Sequence, residues 1–246
     1  PVMSPQEALS ADAPLIHETD WKGRERKDNN CKTVELSFGD VDQAIADAAV
    51  TISNEWHYSG NTHAAIEPHC AIGDYTATGD LVVYSSTQVA HYLHRELAKV
   101  LSIDEARIRV IQPAVGGAFG GKSEPFDLEF AVAALSRKCR RPVKILYTRE
   151  EVFYAHRGRH PADFNFTLTT DKEGLITAVD NDILLDGGAY HSFGLITTYY
   201  TGQLLCGPLN FGSYRYRSRR ADYDARDQDV KQGERECIGA YQTENK

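Results

Sequence analysis

The sequence predicts an α+β fold in which mixed sheets pack against helices. Short segments that alternate apolar and polar residues recur along the chain and are rich in β-branched and aromatic side chains, as is typical of half-buried strands. One longer segment, Val89–Leu101, carries apolar residues at helical spacing, and a second helix, Phe126–Arg137, is predicted because Glu124-Pro125 suits a helix start. With 41% hydrophobic and 25% charged residues, the 246-residue chain has the composition of an ordinary globular protein with one large core or two smaller ones.

The predicted elements follow one another with short turns. Residues 1–30 show no sustained periodicity and therefore predict a linker or the end of a preceding domain. Asp40 is placed to cap a short helix that begins at Val41, after a strand at 33–38. Further strands are predicted at 51–58, 70–75, 81–85, 106–111, 142–147, 163–170, 176–182 and 183–185, with turns at 78–80 and 171–174.

The last part of the chain loses its periodicity. Residues 186–203 mix glycines, hydroxyls and aromatics, which predicts a loop lining a pocket for a flat substrate or, alternatively, a packed irregular segment. The basic run Arg215–Arg220 predicts a solvated surface. Residues 221–246 are almost wholly polar, which predicts a disordered tail.

Charge, hydropathy and cysteine content narrow the classes of function. The net charge of −8 disfavours nucleic acid or an anionic membrane as a partner. No apolar run approaches the roughly 20 residues of a membrane helix, and the N-terminus lacks a basic-then-apolar signal. Five widely spaced cysteines form neither a disulfide framework nor a C-x-x-C pair, so a reducing cytoplasm is expected. Because the chain begins with Pro1 instead of Met, we expect a fragment.

A glycine-rich segment, Gly116–Ser123, lies between a predicted strand and a predicted helix. Glycines allow backbone N–H groups to converge on an anionic group near a helix N-terminus. The segment also satisfies the phosphate-loop pattern, with Lys122 and Ser123 in the lysine and magnesium-ligand positions. Phe119, however, places an aromatic ring where phosphate oxygens would be wrapped, which favours a flat or bulky cofactor. From these residues alone, a surface turn, a nucleotide site and a site for another cofactor are equally supported.

Gln88 stands at the junction between a predicted strand and the helix Val89–Leu101. Ligands of α/β sheets bind beyond the strand ends, so its carboxamide is placed to offer a donor and an acceptor to such a ligand. The alternative, in which the amide caps the helix start, is equally consistent with the local sequence.

Two further clusters contain residue types that can bind a ligand, but a structural role is the preferred interpretation for both. His63, Glu67 and His69 could bind a metal, but their spacing matches no helical zinc motif and Pro68 disfavours a helix, so a buried, hydrogen-bonded loop is the preferred interpretation. Five cationic or titratable side chains could bind an anion or join a loop through ion pairs, and we favour the ion pairs. They are Arg149, His156, Arg157, Arg159 and His160.

Five motifs in order resemble the molybdenum-binding large subunit of the xanthine oxidase and aldehyde oxidase family. They are Gly39-Asp40 before an alanine-rich helix, Ile66-Glu67-Pro68-His69, Ser86-Thr87-Gln88, Gly116–Lys122 and Gly158–Pro161. The resemblance extends over roughly residues 1–219 and overrides the phosphate-loop interpretation. Segments 149–160 and 188–200 most resemble the α subunit of 4-hydroxybenzoyl-CoA reductase. The family resemblance divides the chain into the end of a hammerhead-type domain at 1–30, an incomplete first molybdenum-cofactor domain at 31–220, and a tail unlike the family at 221–246.

The resemblance implies a molybdenum–pterin cofactor, usually the cytosine dinucleotide form in bacteria, with no protein atom bound to the metal. Gln88 matches the glutamine that hydrogen-bonds an oxygen on molybdenum, and Phe119 and Gly120 match residues packed against the apical side of the metal. Tyr199 and Tyr200 lie where relatives contact substrate. The remaining implied cofactor-binding residues are Gly117, Ala118 and Gly121.

The implied reaction is the reductive removal of the para-hydroxyl of 4-hydroxybenzoyl-CoA, with iron–sulfur clusters and FAD on partner subunits. The alternative is a hydroxylase acting on an aldehyde, a purine or another heterocycle. Ser123 stands where many hydroxylases have glutamate, which disfavours purine hydroxylation. The glutamate base of the hydroxylases is expected in a missing C-terminal half, so no catalytic residue is predicted here. A non-catalytic remnant is the third hypothesis.

Overall fold

A computed structural model of the chain describes residue 2 and residues 4–20, 22–155, 158–189 and 194–222. Helices and strands are interspersed throughout these residues. In chain order they are α1 (Pro5–Ala8), β1 (Asn30–Phe38), α2 (Val41–Ala46), β2 (Val50–Tyr58), β3 (Cys70–Tyr75), β4 (Leu81–Ser85), α3 (Ala90–Leu101), a 3₁₀ turn (Glu105–Arg107), β5 (Ile108–Ile111), α4 (Asp127–Cys139), β6 (Val143–Leu146), α5 (Arg149–Ala155), β7 (Ala162–Thr170), β8 (Ile176–Asp186), α6 (Gly194–Leu205) and β9 (Ser213–Ala221).

The described chain divides into two compact units, one made of residues up to Asn61 together with residues 159–222, the other of Thr62–Gly158. Each unit contains one mixed sheet and several helices, which confirms the predicted α+β class. No helix in the described residues is long and apolar enough to cross a bilayer. The assignment of residues 1–30 to a preceding domain stays a prediction.

The first unit is built on a five-stranded sheet in the order β1-β9-β8-β7-β2, in which only β8 and β9 run parallel. The predicted turn at 171–174 joins β7 to β8, and Gly174 supplies its positive φ of 82°. Val179, Ile183, Tyr214 and Tyr216 form the centre of the core on one face of the sheet. The alternation of side chains along β8 and β9 therefore places this core on one face of the sheet and mostly polar side chains on the other.

The second unit is built on a four-stranded sheet in the order β5-β4-β3-β6, with β4 and β5 parallel. Leu81 and Val83 of β4 pack against Leu93 and Leu97 of α3, and all four side chains are fully buried. Helix α4 packs against β3 on the same sheet. This arrangement brings the loops after β4 and β5 to neighbouring positions, because parallel neighbours end at the same edge.

The predicted loop at 186–203 is partly wrong. Strand β8 continues without interruption to Asp186, and α6 begins at Gly194 and includes both Tyr199 and Tyr200. The helix was missed because its apolar residues have no one-sided period; it is apolar or hydroxylated around most of its circumference. Residues 190–193 of the predicted loop lie outside the described residues.

The basic run near the end of the described chain is a strand that was not predicted. Arg215 and Arg217 are half exposed, as expected of a solvated face, but Tyr214, Tyr216 and Arg220 are fully buried. Arginines of the exposed face pair with carboxylates of the neighbouring strands, which is how a strand rich in cations is tolerated within a sheet. Ala221, the first residue of the predicted tail, is the last residue of β9, and 223–246 lie outside the described residues.

Candidate functional site

The glycine-rich segment Gly116–Ser123, called here the glycine loop, connects β5 to α4 in the second unit. Its backbone turns through the left-handed region three times, with φ of 100° at Gly117, 54° at Phe119 and 94° at Gly120. A non-glycine residue in this region carries about 1–2 kcal/mol of strain, which the surrounding contacts must offset. The side chain of Phe119 is 75% exposed, so its hydrophobic surface is not used in the core.

Gln88 leaves the junction between β4 and α3 and reaches the glycine loop. Its side-chain Oε1 accepts hydrogen bonds from the N–H of Gly120 at 3.0 Å and of Lys122 at 3.2 Å. The backbone N–H of Gln88 donates to the carbonyl of Lys122 at 2.8 Å. The alternative in which Gln88 caps α3 is wrong, because the N-terminus of α3 has no side-chain cap. The N–H of Val89 donates to the hydroxyl of Thr87 instead.

Glu67 holds the other side of the glycine loop. Its Oε2 accepts from the N–H of Gly116 at 2.8 Å and from Nζ of Lys122 at 2.7 Å, and its N–H donates to the carbonyl of Gly116 at 3.2 Å. Burial by itself would raise the pKa of Glu67, but the hydrogen bonds from Lys122 and Gly116 outweigh it and lower that pKa. Lys122 is 1% exposed, so its ammonium depends on this carboxylate.

His63 and His69, on either side of Glu67 in the sequence, both contact the glycine loop. Nε2 of His69 lies 3.2 Å from the carbonyl oxygen of Gly121, and its ring packs 4.2 Å from that of Phe126. A Cβ at Gly121 would lie 2.8 Å from Nδ1 of His63, so packing against this ring explains the glycine. The predicted hydrogen bonding of the segment is confirmed, but its predicted burial holds only at Ala65 and His69, because Ile66 is 90% exposed. Within the described residues, no three histidine, cysteine or acidic side chains are grouped to hold a metal ion.

Three consecutive N–H groups of the glycine loop have no acceptor among the described residues: those of Gly117, Ala118 and Phe119. The N–H groups of the other loop residues have acceptors within the protein. That of Gly121 donates to the carbonyl of Ala118, and that of Ser123 donates to the carbonyl of Gly120. Uncharged donors beside an exposed aromatic ring suit an acceptor-rich and partly flat group. Gly120 adds an open surface, because a Cβ there would approach only His63 Nε2 at 3.6 Å.

The phosphate-loop alternative does not agree with this geometry. A phosphate-binding lysine needs a free ammonium at a helix N-terminus. Lys122 is instead buried in its ion pair with Glu67, and α4 begins five residues later, at Asp127. The hydroxyl of Ser123 donates to the carbonyl of Gly120 and is not directed at a magnesium ion.

The ion pairs predicted for residues 149–160 are not found at Arg149, and the start of the predicted loop is a helix. Residues 149–155 form α5, and the guanidinium of Arg149 donates to the carbonyl oxygens of Ala65 and Ile66 at 2.6 and 2.7 Å. Carbonyl acceptors were not considered because a charge pattern in sequence reveals carboxylates but not backbone geometry. His156 and Arg157 lie outside the described residues.

Tyr199 and Tyr200 lie in the first unit, on α6. Their side chains are 43% and 51% exposed, and their rings meet edge to face at 6.0 Å. Both phenols are therefore accessible, as a substrate contact would require, and their assignment stays a prediction. Sequence reasoning did not pair Glu67 with Lys122, because opposite charges were the only signal and 55 residues separate the two.

Comparison with known proteins identifies the family. Residues 23–244 match the family described as "Molybdopterin cofactor-binding domain". The chain belongs to this family. The predicted relationship to large subunits of the xanthine oxidase family is confirmed at this level, whereas the relationship to 4-hydroxybenzoyl-CoA reductase stays a prediction.

Relatives of this molybdopterin cofactor-binding domain are large subunits. It is 32% identical over 194 residues to the nicotinate dehydrogenase large molybdopterin subunit of Eubacterium barkeri, covering 78% of this chain and 43% of that protein. It is 36% identical over 168 residues to the nicotine 6-hydroxylase large subunit of Paenarthrobacter nicotinovorans, covering 68% and 21%. The chain thus spans less than half the length of these relatives.

Solved structures agree with the family assignment. Aldehyde oxidoreductase from Desulfovibrio gigas superposes with a TM-score of 0.79 at 25% identity, over 90% of this chain and 24% of that one. The Cu,Mo-CO dehydrogenase superposes with a TM-score of 0.76 at 20% identity, over 90% and 29%, and shows the fold alone. The fold of this molybdopterin cofactor-binding domain is therefore that of molybdenum enzymes.

Proposed function

We propose that this chain holds a molybdenum–pterin cofactor in the large subunit of an oxidoreductase of the xanthine oxidase family. The observation that carries the proposal is the convergence of Gln88 with the glycine loop, which leaves the N–H groups of 117–119 without an internal acceptor. These donors, the exposed ring of Phe119 and the open surface at Gly120 fit the oxygen-rich and flat parts of such a cofactor. We further propose 31–220 as the first cofactor-binding domain.

When bound, the cofactor supplies two-electron redox chemistry at a metal held by the pterin. The residues of this chain bind and orient it. The carboxamide oxygen of Gln88 already accepts hydrogen bonds from the loop. Its carboxamide nitrogen would therefore donate to an oxygen acceptor of the cofactor. The N–H groups of Gly117, Ala118 and Phe119 would donate to a second acceptor, and the ring of Phe119 would exclude water from the same side. Uncharged donors of this kind orient oxygen atoms without adding a titratable group.

For the reaction, we propose hydroxylation of an aromatic nitrogen heterocycle or an aldehyde, with oxygen from water and two electrons leaving the substrate. Support comes from the relatives, which are named for nicotinate, nicotine and, in Escherichia coli, probable hypoxanthine oxidation. The second candidate is reductive dehydroxylation of 4-hydroxybenzoyl-CoA. It is supported by segments 149–160 and 188–200 and by Ser123, and it gives Tyr199 and Tyr200 the role of donors to the substrate oxygen.

The proposal includes partner subunits with iron–sulfur clusters and FAD, which exchange electrons with molybdenum, a cytosine dinucleotide on the pterin, and a cytoplasmic location. Neither nucleic acid nor a membrane is proposed as a partner. Because the expected glutamate base is not among these residues, the chain expressed alone should show no turnover even with added cofactor. Robust activity of the isolated 246 residues would contradict this expectation.

The cofactor assignment is tested by measuring the molybdenum and pterin content of the protein. The full-length protein that contains this chain should carry molybdenum and pterin in equal amounts, measured by elemental analysis and by fluorescence of the oxidised pterin. Gln88→Ala should lower the molybdenum content several-fold, since it removes a donor and loosens the loop. Gln43→Ala is the matched control, because that glutamine bonds only a helix residue in the first unit. Equal contents in all three proteins would refute a role for Gln88.

The substrate is tested by turnover of the same holoenzyme. Nicotinate, hypoxanthine and an aromatic aldehyde are offered with an oxidising dye, and 4-hydroxybenzoyl-CoA is offered with a low-potential donor. Turnover in the first assay alone supports the hydroxylase, and turnover in the second alone supports the reductase. Tyr199→Phe and Tyr200→Phe should raise KM or lower kcat for the accepted substrate if these phenols contact it, whereas unchanged kinetics would remove them from the site.

A further inference from the structure

One carboxylate oxygen holds both ends of the glycine loop. Oε2 of Glu67 accepts from the N–H of Gly116, the first residue of the loop, and from Nζ of Lys122, near its last residue. The two anchored residues are six positions apart, and the free N–H groups of 117–119 lie between them. Glu67 therefore closes the loop as a ring, with the unused N–H groups between its two anchors.

The ion pair of this ring is not a surface contact. Lys122 is 1% exposed and Glu67 is 30% exposed on its side chain. A buried ammonium without its carboxylate is strongly unfavourable, so Lys122 cannot keep its position if the charge of Glu67 is removed. Space is limited as well, because a Cβ at Gly116 would lie 2.7 Å from Cβ of Glu67. Close approach and charge together fix where the loop starts and ends.

We propose that Glu67 is a positioning residue that sets the glycine loop in the conformation that binds the cofactor, acting through Lys122 and Gly116 without touching the cofactor. The inference rests on the proposed function for the identity of the ligand. Gln88 fixes the amides of Gly120 and Lys122 from one side, and Glu67 fixes the ends of the loop from the other. The segment Ile66-Glu67-Pro68-His69 thereby gains a role that its spacing as a metal motif did not suggest.

The test is hydrogen exchange of the loop, followed by mass spectrometry, in the full-length protein with Glu67→Gln. Exchange of the peptide that contains 116–122 should accelerate about tenfold or more, since hydrogen bonds to a charged group are lost, while peptides from α3 and β3 keep their rates. The molybdenum and pterin contents should fall several-fold together. Glu173→Gln, in the exposed turn between β7 and β8, is the control and should match the wild type.

Wild-type exchange in the loop together with wild-type cofactor content in Glu67→Gln would overturn the proposal, and so would equal acceleration across the whole protein, which indicates a general loss of stability. If Glu67→Gln does not fold, the double variant Glu67→Gln, Lys122→Met removes the unpaired buried charge. It should still exchange faster in the loop than the wild type, and an unchanged rate would overturn the proposal. A wild-type protein without molybdenum and pterin would refute the proposed function, while the exchange comparison would still decide the role of Glu67.

Discussion

The side-chain oxygen of Gln88 lies 3.0 Å from the backbone nitrogen of Gly120 and also accepts from the N–H of Lys122. Two donors converge on this one atom, which settles the orientation of the carboxamide: the oxygen faces the loop and the NH₂ group is left for other partners. At this position the protein therefore offers a ligand a donor and no acceptor. This arrangement favours the oxygen-rich ligand that we propose for the site.

The first prediction concerns the backbone at Gly120. An alanine there would be held at a φ of 94°, although its Cβ would meet only His63 Nε2, at 3.6 Å. The effect is thus conformational, and Gly120→Ala should lower the free energy of unfolding by about 1–2 kcal/mol in urea titrations. Gly207→Ala, which has no positive φ and a nearest atom at 3.5 Å, is the control. A loss no larger than that of the control would mean that the loop adapts freely.

The second prediction concerns the packing of α4 on β3. A Cβ at Gly73 would lie 2.6 Å from the carbonyl oxygen of Val132 and 2.9 Å from the nitrogen of Ala133. These are backbone atoms of α4 that cannot rotate away, so Gly73→Ala must push the helix off the sheet. We expect a loss of about 1–3 kcal/mol in the free energy of unfolding. Gly212→Ala, with its nearest atom 3.7 Å away, should cost far less, and equal losses would contradict the packing argument.

Local rules predicted the elements that have a clear period or a cap. Asp40 caps α2 through the N–H of Gln43, and the bounds of α3 and α4 differ from expectation by one or two residues. The one-sided apolar face predicted α3, and Glu124-Pro125 at its start predicted α4. By contrast, α6 is apolar around its circumference and β9 carries alternating arginines. The secondary structure of such segments is determined by tertiary packing, because their sequence pattern is compatible with several secondary structures.

For the site, the sequence predicted which segments matter but not how they are joined. The glycine loop and Gln88 were selected from their positions after strands, and the structure brings them together. It also divides the loop amides into used and free groups, which no sequence pattern could do. The pairing of Glu67 with Lys122 depends on a contact between residues 55 positions apart. Such a contact is fixed by the register of β3, β4 and β5, not by local sequence.

The third prediction is the acid dependence of the second unit. Burial opposes ionisation of Glu67, but hydrogen bonds from Lys122 and Gly116 prevail and lower its pKa below the ordinary 4.5. A lowered pKa in the folded state stabilises the fold above the ordinary value, and this contribution disappears as the pH falls through the folded pKa. The stability difference between wild type and Glu67→Gln should therefore shrink as the pH falls below the ordinary value of 4.5 and through the lowered pKa of the folded state. A difference that is constant with pH would show that the ion pair does not contribute.

The fourth prediction is the alkaline dependence of the first unit. Burial raises the pKa of Tyr214 above its usual range, and burial likewise raises the pKa of Tyr216 despite hydrogen bonds that oppose the shift. The folded protein then keeps both phenols protonated where the unfolded chain releases its protons, so stability falls as the pH rises beyond about 10. Urea unfolding at increasing pH measures the loss, and absorbance of tyrosinate shows whether ionisation accompanies unfolding.

Substitution of a single tyrosine tests the cause of this alkaline loss. Tyr216 donates to the carbonyl of Thr198 at 2.6 Å, so Tyr216→Phe should cost about 1 kcal/mol at neutral pH through that hydrogen bond. At alkaline pH the same variant should lose stability less steeply than the wild type, because one buried phenol no longer resists ionisation. Tyr84→Phe is the control, since that side chain is 42% exposed and should keep the wild-type slope. If Tyr216→Phe also keeps the wild-type slope, burial of this phenol is not what limits the protein at high pH.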